Sequence, residues 1–240
     1  MPKYVFNEDF FEKIDTEHKA YWLGFLYADG CILDMRLHDG TKVPQTVQIS
    51  ISIKDIEIIY KFMKDIELEK NIYIGVAHNK KSDTQYARVQ VGSSKMCRDL
   101  ISHGCTPRKT LTLTFPTEND VPNELIRHFI RGYFDGDGSV YFCERMQFDK
   151  HCGYERLQQN FCGNFQGTMD FLKKLEFILN SNGVVTRPIR TGHGQIYSLD
   201  FGRRDAMVSF YHFLYDDATI YLNRKHQKFL DIFKYLNMVF

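Results

Sequence analysis

Two stretches of this chain share one design, and that duplication limits the fold more than anything else in it. Tyr21-Trp22-Leu23-Gly24-Phe25-Leu26-Tyr27-Ala28-Asp29-Gly30 and Phe129-Ile130-Arg131-Gly132-Tyr133-Phe134-Asp135-Gly136-Asp137-Gly138 both run apolar and aromatic, then stop at an aspartate followed by glycine. The two Asp-Gly pairs lie 108 positions apart. Gly24 and Ala28 stand four apart, as do Gly132 and Gly136, so each helix shows a stripe of small residues on one face. Such a stripe lets two backbones approach closely. The runs are far shorter than the roughly 20 residues a membrane span needs, so the expected partner of each helix is the other helix. Both would end at the same level, with Gly30 and Gly138 as left-handed residues closing the helix C-termini. Asp29 and Asp137 would then lie side by side.

Two carboxylates at the negative ends of two helix dipoles repel each other, and neither motif supplies a basic partner. A divalent cation relieves the repulsion. Magnesium accepts one or two protein carboxylates while keeping waters and substrate phosphates, which points to phosphodiester chemistry. A calcium loop starting at Asp135 is excluded by Val140 where glycine is needed and Met146 where glutamate is needed.

Composition sets wider bounds. With 240 residues, 43% hydrophobic and 15% aromatic, the chain can bury one sizeable core or two small ones. Met1 to Asp15 mixes charges with aromatics and does not read as a signal peptide, so a cytoplasmic protein with no membrane segment is the expectation. The six cysteines show neither a C-x-x-C pair nor finger spacing, and read as reduced and not zinc-binding. A net charge of +1 is compatible with a grip on nucleic acid only if basic and acidic groups segregate to different faces.

Along the chain, Asp15 or Thr16 is a plausible cap for the first motif helix. Cys31 to Leu37 reads as a strand. In the next strand Val47, Ile49, Ile51 and Ile53 face one way while Gln48, Ser50 and Ser52 face the other. Asp55 to Glu69 is helical. Asn71 to His78 and Gln85 to Gly92 form a hairpin in which Arg88 and Gln90 alternate with apolar residues, and Ser93 to Ser102 is a short helix. Residues 104–122, rich in proline and threonine, form the linker between halves spanning 1–103 and 123–240.

The second half repeats the order. Ser139 to Arg145 is a strand and Met146 to Leu157 a long polar loop. In Gln159 to Phe165, Asn160, Cys162 and Asn164 take the places of Gln48, Ser50 and Ser52 at an offset of 112, through a four-residue insertion. Gly167 to Asn180 is helical, Val184 to Ile189 and Ile196 to Phe201 form the last hairpin, and Arg203 to Tyr215 is a helix. Leu222-Asn223-Arg224-Lys225 echoes Thr106-Pro107-Arg108-Lys109.

Taken together, Trp22 to Gly30 and Ile130 to Gly138 resemble the two motifs of a single-chain LAGLIDADG homing endonuclease, and the resemblance covers nearly all of the chain. One departure is Tyr27, where the motif has its first aspartate; the second copy keeps Asp135. The resemblance implies an α/β (α+β) fold of two pseudo-two-fold αββαββα repeats, whose antiparallel sheets form a DNA-binding saddle. It also implies a monomer that cuts a long double-stranded DNA target, one phosphodiester per strand, with short 3′ overhangs. Mg2+ or Mn2+ would be held by Asp29 and Asp137 with the carbonyls of Ala28 and Gly136, in the host cell of a mobile intron, a phage or an organelle.

Lys54 resembles a basic catalytic position of the family, with Gln166 as its counterpart, while Lys109 and Lys225 are weaker candidates for that role. Expected base or backbone contacts are Gln48, Ser50, Arg88, Gln90, Asn160, Asn164, Arg187 and Arg190, because Gln and Asn can read adenine and Arg can read guanine. Two alternatives use the same fold, an RNA maturase and a non-catalytic DNA-binding regulator. An Asp-x-Asp phosphatase would use Asp135 and Asp137 but leave Asp29 idle. An intein is not expected, since Met1 supplies no splicing nucleophile.

Overall fold

The computed structural model describes residues 4–78, 82–192 and 194–237. Helix α1 (Glu17–Asp29) and helix α4 (Ile126–Asp137) lie at its centre. Thr16 caps α1, its Oγ1 accepting from the Lys19 amide. Every residue from Ala20 to Tyr27 is buried, and so is every residue from His128 to Asp135. The stretch from Ala20 to Tyr27 is apolar and aromatic all round and has to be enclosed on all sides; α4 also buries His128, Arg131 and Asp135, each hydrogen-bonded, and each helix is one wall of the other's enclosure.

The small-residue stripes set the spacing. A Cβ added at Gly24 would fall inside the Phe129 carbonyl and 2.9 Å from the Tyr133 amide nitrogen. One added at Gly132 would meet the Tyr21 carbonyl and lie 2.8 Å from the Phe25 amide nitrogen. At the C-terminal end Gly136 sits directly on Ala28. A buried ion pair across the seam joins the other ends, Arg131 of α4 donating to Glu17 of α1 at 2.6 Å and to the carbonyls of Leu214 and Ile220.

Gly30 and Gly138 differ from expectation. Both are extended (φ −80°, ψ 151° and φ −71°, ψ 161°), so the left-handed cap is absent. Glycine is needed there for space: a Cβ would lie 2.7 Å from the Leu26 carbonyl oxygen at Gly30 and 2.7 Å from that of Phe134 at Gly138. Each helix thus passes straight into a strand.

Those strands open two sheets of the same order. In one, β1 (Gly30–Arg36), β2 (Lys42–Ser52), β3 (Tyr73–His78) and β4 (Asp83–Gly92) are arranged β1-β2-β4-β3. In the other, β5 (Ser139–Asp149), β6 (Tyr154–Gly167), β7 (Arg190–Thr191) and β8 (Tyr197–Phe201) are arranged β5-β6-β8-β7. All pairings are antiparallel. The inward residues Val47, Ile49, Ile51, Ala87, Val89 and Val91 are buried under α2 (Glu57–Asp65) and α3 (Ser94–Ser102). Helices α5 (Met169–Ser181) and α6 (Arg204–Tyr215) cover the second sheet in the same way, and α7 (Asn223–Tyr235) packs beside β5.

Three sequence expectations are corrected here. Met146 to Leu157 is not a loop: β5 and β6 continue through it in register to a turn at residues 150–153. Cys31 pairs with Gln48 and Ser139 with Asn164, so the second hairpin is eight residues longer and the repeat offset on these strands is 116 rather than 112. Asn164 is therefore the counterpart of Gln48 and Gln166 that of Ser50, whereas Lys54 corresponds to Asp170. A slip of four keeps the side-chain face, which is why alternation could not detect it. Finally, Val184 to Ile189 forms no strand; only Arg190 and Thr191 pair with β8, although the Arg187 amide still donates to the Asp200 carbonyl at 2.6 Å.

Candidate active site

Because α1 and α4 end at one level, with Gly136 packed on Ala28, their last residues meet where each helix passes into its own sheet. Asp29 lines a hollow of about 230 Å³ with Ser50 and Ser52 of the first sheet, Asp55, Gly136 and Arg224. Asp137 lines a second, of about 290 Å³, with Ala28, Lys109, Tyr133 and Gln166. Each hollow thus pairs an acid from one helix with the helix end of the other repeat.

Neither carboxylate accepts a hydrogen bond or joins an ion pair among the described residues, although both reach solvent. Crowding by protein raises the pKa of Asp29 to about 6, and the Asp137 charge adds to the rise; Lys225 and Lys109 partly offset it. Burial likewise raises Asp137 above the ordinary carboxylate range against the same two lysines. The two carboxylates therefore stand at the helix ends without a direct partner, their charge offset only through space by Lys109 and Lys225.

A raised carboxylate pKa favours the protonated, folded form, so its contribution is fully present below pH about 4 and is lost as pH rises through about 6. In metal-free buffer at pH 7.5, Asp29→Asn should therefore raise the Tm by about 2–4 °C. That corresponds to about 1 kcal/mol after discounting for solvent exposure. The gain should fade toward pH 4. Thermal melts in EDTA check this, and a lower Tm at pH 7.5 would contradict it.

The basic groups nearest the acids are the two weaker candidates. Lys109 donates to the Gly30 carbonyl. Lys225 donates to the carbonyls of Phe134 and Gly138 at 2.5 Å each and to Gly136 at 3.3 Å. They occupy equivalent places, one per repeat, at the offset of 116, and both are buried. Burial lowers the Lys225 pKa to about 8. Lys54 instead lies exposed on a 3₁₀ turn after β2, making no contact with either acid. The Arg-Lys echo at the two repeat ends was the signal for this pair, but sequence could not tell that the chain returns to the helix ends.

The arginines of the same echo, and the motif positions Asp135 and Tyr27, take structural places around the site. Arg224 forms a bidentate pair with Asp55 at 2.8 Å on both nitrogens, joining α7 to the first repeat beside Asp29. Its counterpart Arg108 is exposed, in a left-handed conformation, and near Asp34. The hollows are thus chemically unequal. Asp135 is buried and occupied structurally, accepting from Tyr21 Oη at 2.8 Å and the Leu222 amide at 2.7 Å. Tyr27, in the same place in α1, reaches the His103 carbonyl instead.

Of the expected contact residues, all but Arg187 lie on strands, with Gln48, Gln90, Asn160 and Asn164 half-buried. Gln90 Nε2 donates to Gln48 Oε1 at 2.7 Å. Ser50 is exposed opposite Arg88, whose guanidinium lies over Tyr73. Asn160 is half-buried opposite Cys143, Asn164 bonds Ser198 and Asp200, and Arg187 and Arg190 are exposed at the edge of the second sheet.

No family model matches the chain, and no curated protein does. Solved structures do. The LAGLIDADG meganuclease I-AabMI, bound to uncleaved DNA, superposes with a TM-score of 0.56 at 10% identity over 90% of each chain. I-SmaMI, bound to an uncleaved DNA target in the presence of calcium ions, gives 0.59 at 12% identity over 91% of each chain. The same enzyme on cleaved DNA gives 0.56 at 11% identity over 90% of this chain and 87% of that one. With its duplicated helix motif, its two sheets of identical order and this likeness along nearly its whole length, the chain has the fold of the single-chain, two-motif LAGLIDADG meganucleases.

Proposed function

We propose that this protein is a site-specific DNA endonuclease acting as a monomer on a long duplex target. The observation that carries the reading is the pair of unpartnered aspartates, Asp29 and Asp137, on the seam between two open polar sheet faces. A two-stranded ribbon fits the DNA major groove, and two such faces on either side of an acidic seam match a duplex whose central phosphates cross the acids. The likeness to meganucleases solved on DNA supports the same reading.

The donor set suits a hard divalent cation: two crowded carboxylates with no hydrogen-bond partner, and the Ala28 carbonyl beside them. The Gly136 carbonyl is already engaged by Lys225. Among the described residues no group of three or more His, Cys, Asp and Glu side chains converges, so substrate phosphates and water would complete the shell. When bound, Mg2+ or Mn2+ would supply Lewis acidity and lower the pKa of water. Hydrolysis adds water oxygen to phosphorus and breaks the bond to the 3′ oxygen, leaving a 3′ hydroxyl and a 5′ phosphate. The chain itself lines the hollow beside Asp137 with Tyr133 and Leu113. It sets the carboxylates at one level, and it presents the buried Lys109 and Lys225 ammonium groups, which can stabilise charge developing on the phosphoryl oxygens.

The test is cleavage of a randomised duplex library with Mg2+, followed by sequencing of the cut ends. One long target with short 3′ overhangs is expected, and cutting should stop in EDTA; no enriched target would overturn the reading. On that target, Lys109→Met and Lys225→Met should slow the single-turnover rate at least about tenfold and Lys54→Ala less than about threefold. The reverse order would return the basic role to Lys54.

A further inference from the structure

The open face of the second sheet contains a buried acid. Asp200 of β8 lies opposite Asn164 of β6, and its neighbours Leu199 and Phe201 point into the core, so its own side chain belongs to the polar face. It is only 2% exposed. An uncovered carboxylate there would repel phosphate and weaken any grip on DNA. It is covered by three donors: Asn164 Nδ2 at 2.5 Å, Ser198 Oγ at 3.0 Å and the Arg190 guanidinium. The same place in the first sheet is held by Gln90, which makes a neutral amide–amide bond to Gln48. The two recognition faces therefore diverge in charge at one matched pair.

The consequences for hydrogen bonding follow from donor counts. Asn164 Nδ2 has two hydrogens, and both are used, on Asp200 Oδ1 and on Ser198 Oγ at 2.6 Å. An amide cannot turn its oxygen toward a carboxylate, so Asp200 fixes the Asn164 carbonyl as the atom offered outward. That oxygen accepts from an exocyclic amino group, adenine N6 or cytosine N4, and cannot make the two-point contact with adenine. Arg190 is held at one nitrogen while its side chain stays 66% exposed, so its remaining donors face the groove. A fixed guanidinium fits guanine O6 and N7.

Resting on the DNA reading above, we propose that Asp200 is a specificity-determining positioning residue. It holds Arg190 to read a guanine and Asn164 to read a neighbouring amino-bearing base in the half-site bound by the second repeat. The half-site facing Gln48 and Gln90 carries no such demand. The test is selection of bound duplexes from a randomised library in EDTA by wild type, Asp200→Asn and Arg190→Gln, each sequenced to give base preference by position.

Wild type should enrich guanine at least about tenfold over the other bases at one position of that half-site. Both variants should lose most of this at the same position, and Asp200→Asn should also relax the adjacent amino-base preference because Asn164 can then invert. Preferences elsewhere should stay. Unchanged profiles in both variants, or a loss spread evenly over all positions, would overturn the inference. Arg190 is exposed, so an unchanged guanine preference in Arg190→Gln overturns the inference even if Asp200→Asn fails to fold. A wild type that enriches nothing removes the DNA reading itself, whereas an enriched target that both variants share removes this inference alone.

Discussion

Replacing Asp29 or Asp137 with asparagine is expected to lower the single-turnover cleavage rate by at least about a thousandfold while leaving duplex binding within about threefold of wild type. Loss of a group that stabilises charge only in the transition state typically costs on the order of a hundred- to a thousandfold, and here it would also remove half of a two-carboxylate cation site. Binding survives because it rests on the sheet faces, and removing an unpaired negative charge beneath phosphates does not weaken attraction to them. Both cuts should stop together, since each hollow places one acid against the other repeat's helix end. Single-turnover assays with a binding control measure this. Undiminished cutting by both variants would withdraw the catalytic assignment.

The second large effect is on stability. Gly24→Val or Gly132→Val should cost on the order of 4 kcal/mol or more, lowering the Tm by about 10 °C or preventing folding. The obstacle at both positions is backbone, the Phe129 and Tyr21 carbonyls, and not a side chain that can turn away. Separating the helices would also part Glu17 from the fully buried Arg131, leaving a charge without its partner. A control at Gly40, where an added Cβ meets nothing within 4 Å but φ is +85°, should cost far less. Equal melting temperatures for Gly24→Val and wild type would mean that the helix pair is not the structural centre.

How much of this was readable from residues alone depends on whether the information is local. The motif helices, the strand alternation from Val47 to Ser52 and a cap at one of the two candidates, Thr16, are set by spacing and by nearest neighbours, and they appear where spacing puts them, although the strand ends one residue before Ile53. The left-handed caps did not, because an Asp-Gly ending has two physical explanations, backbone conformation and lack of space, and only the surroundings of Gly30 and Gly138 choose between them. The four-residue slip on β6 preserved the pattern of faces, so periodicity carried no signal against it. Lys109, Lys225, Arg224 and Asp200 owe their surroundings to chain that returns from more than thirty residues away, apart from the local bonds of Arg190 and Ser198 to Asp200. Their roles required the fold.

A cation site shared by the acids of the two hollows is tested by Mn2+ binding, followed by electron paramagnetic resonance, on protein saturated with duplex recovered from the library. Wild type should bind the ion, and Asp29→Asn and Asp137→Asn should each weaken that binding at least about tenfold. If either substitution leaves the Mn2+ affinity as it was, the two helices do not deliver their carboxylates to a common site.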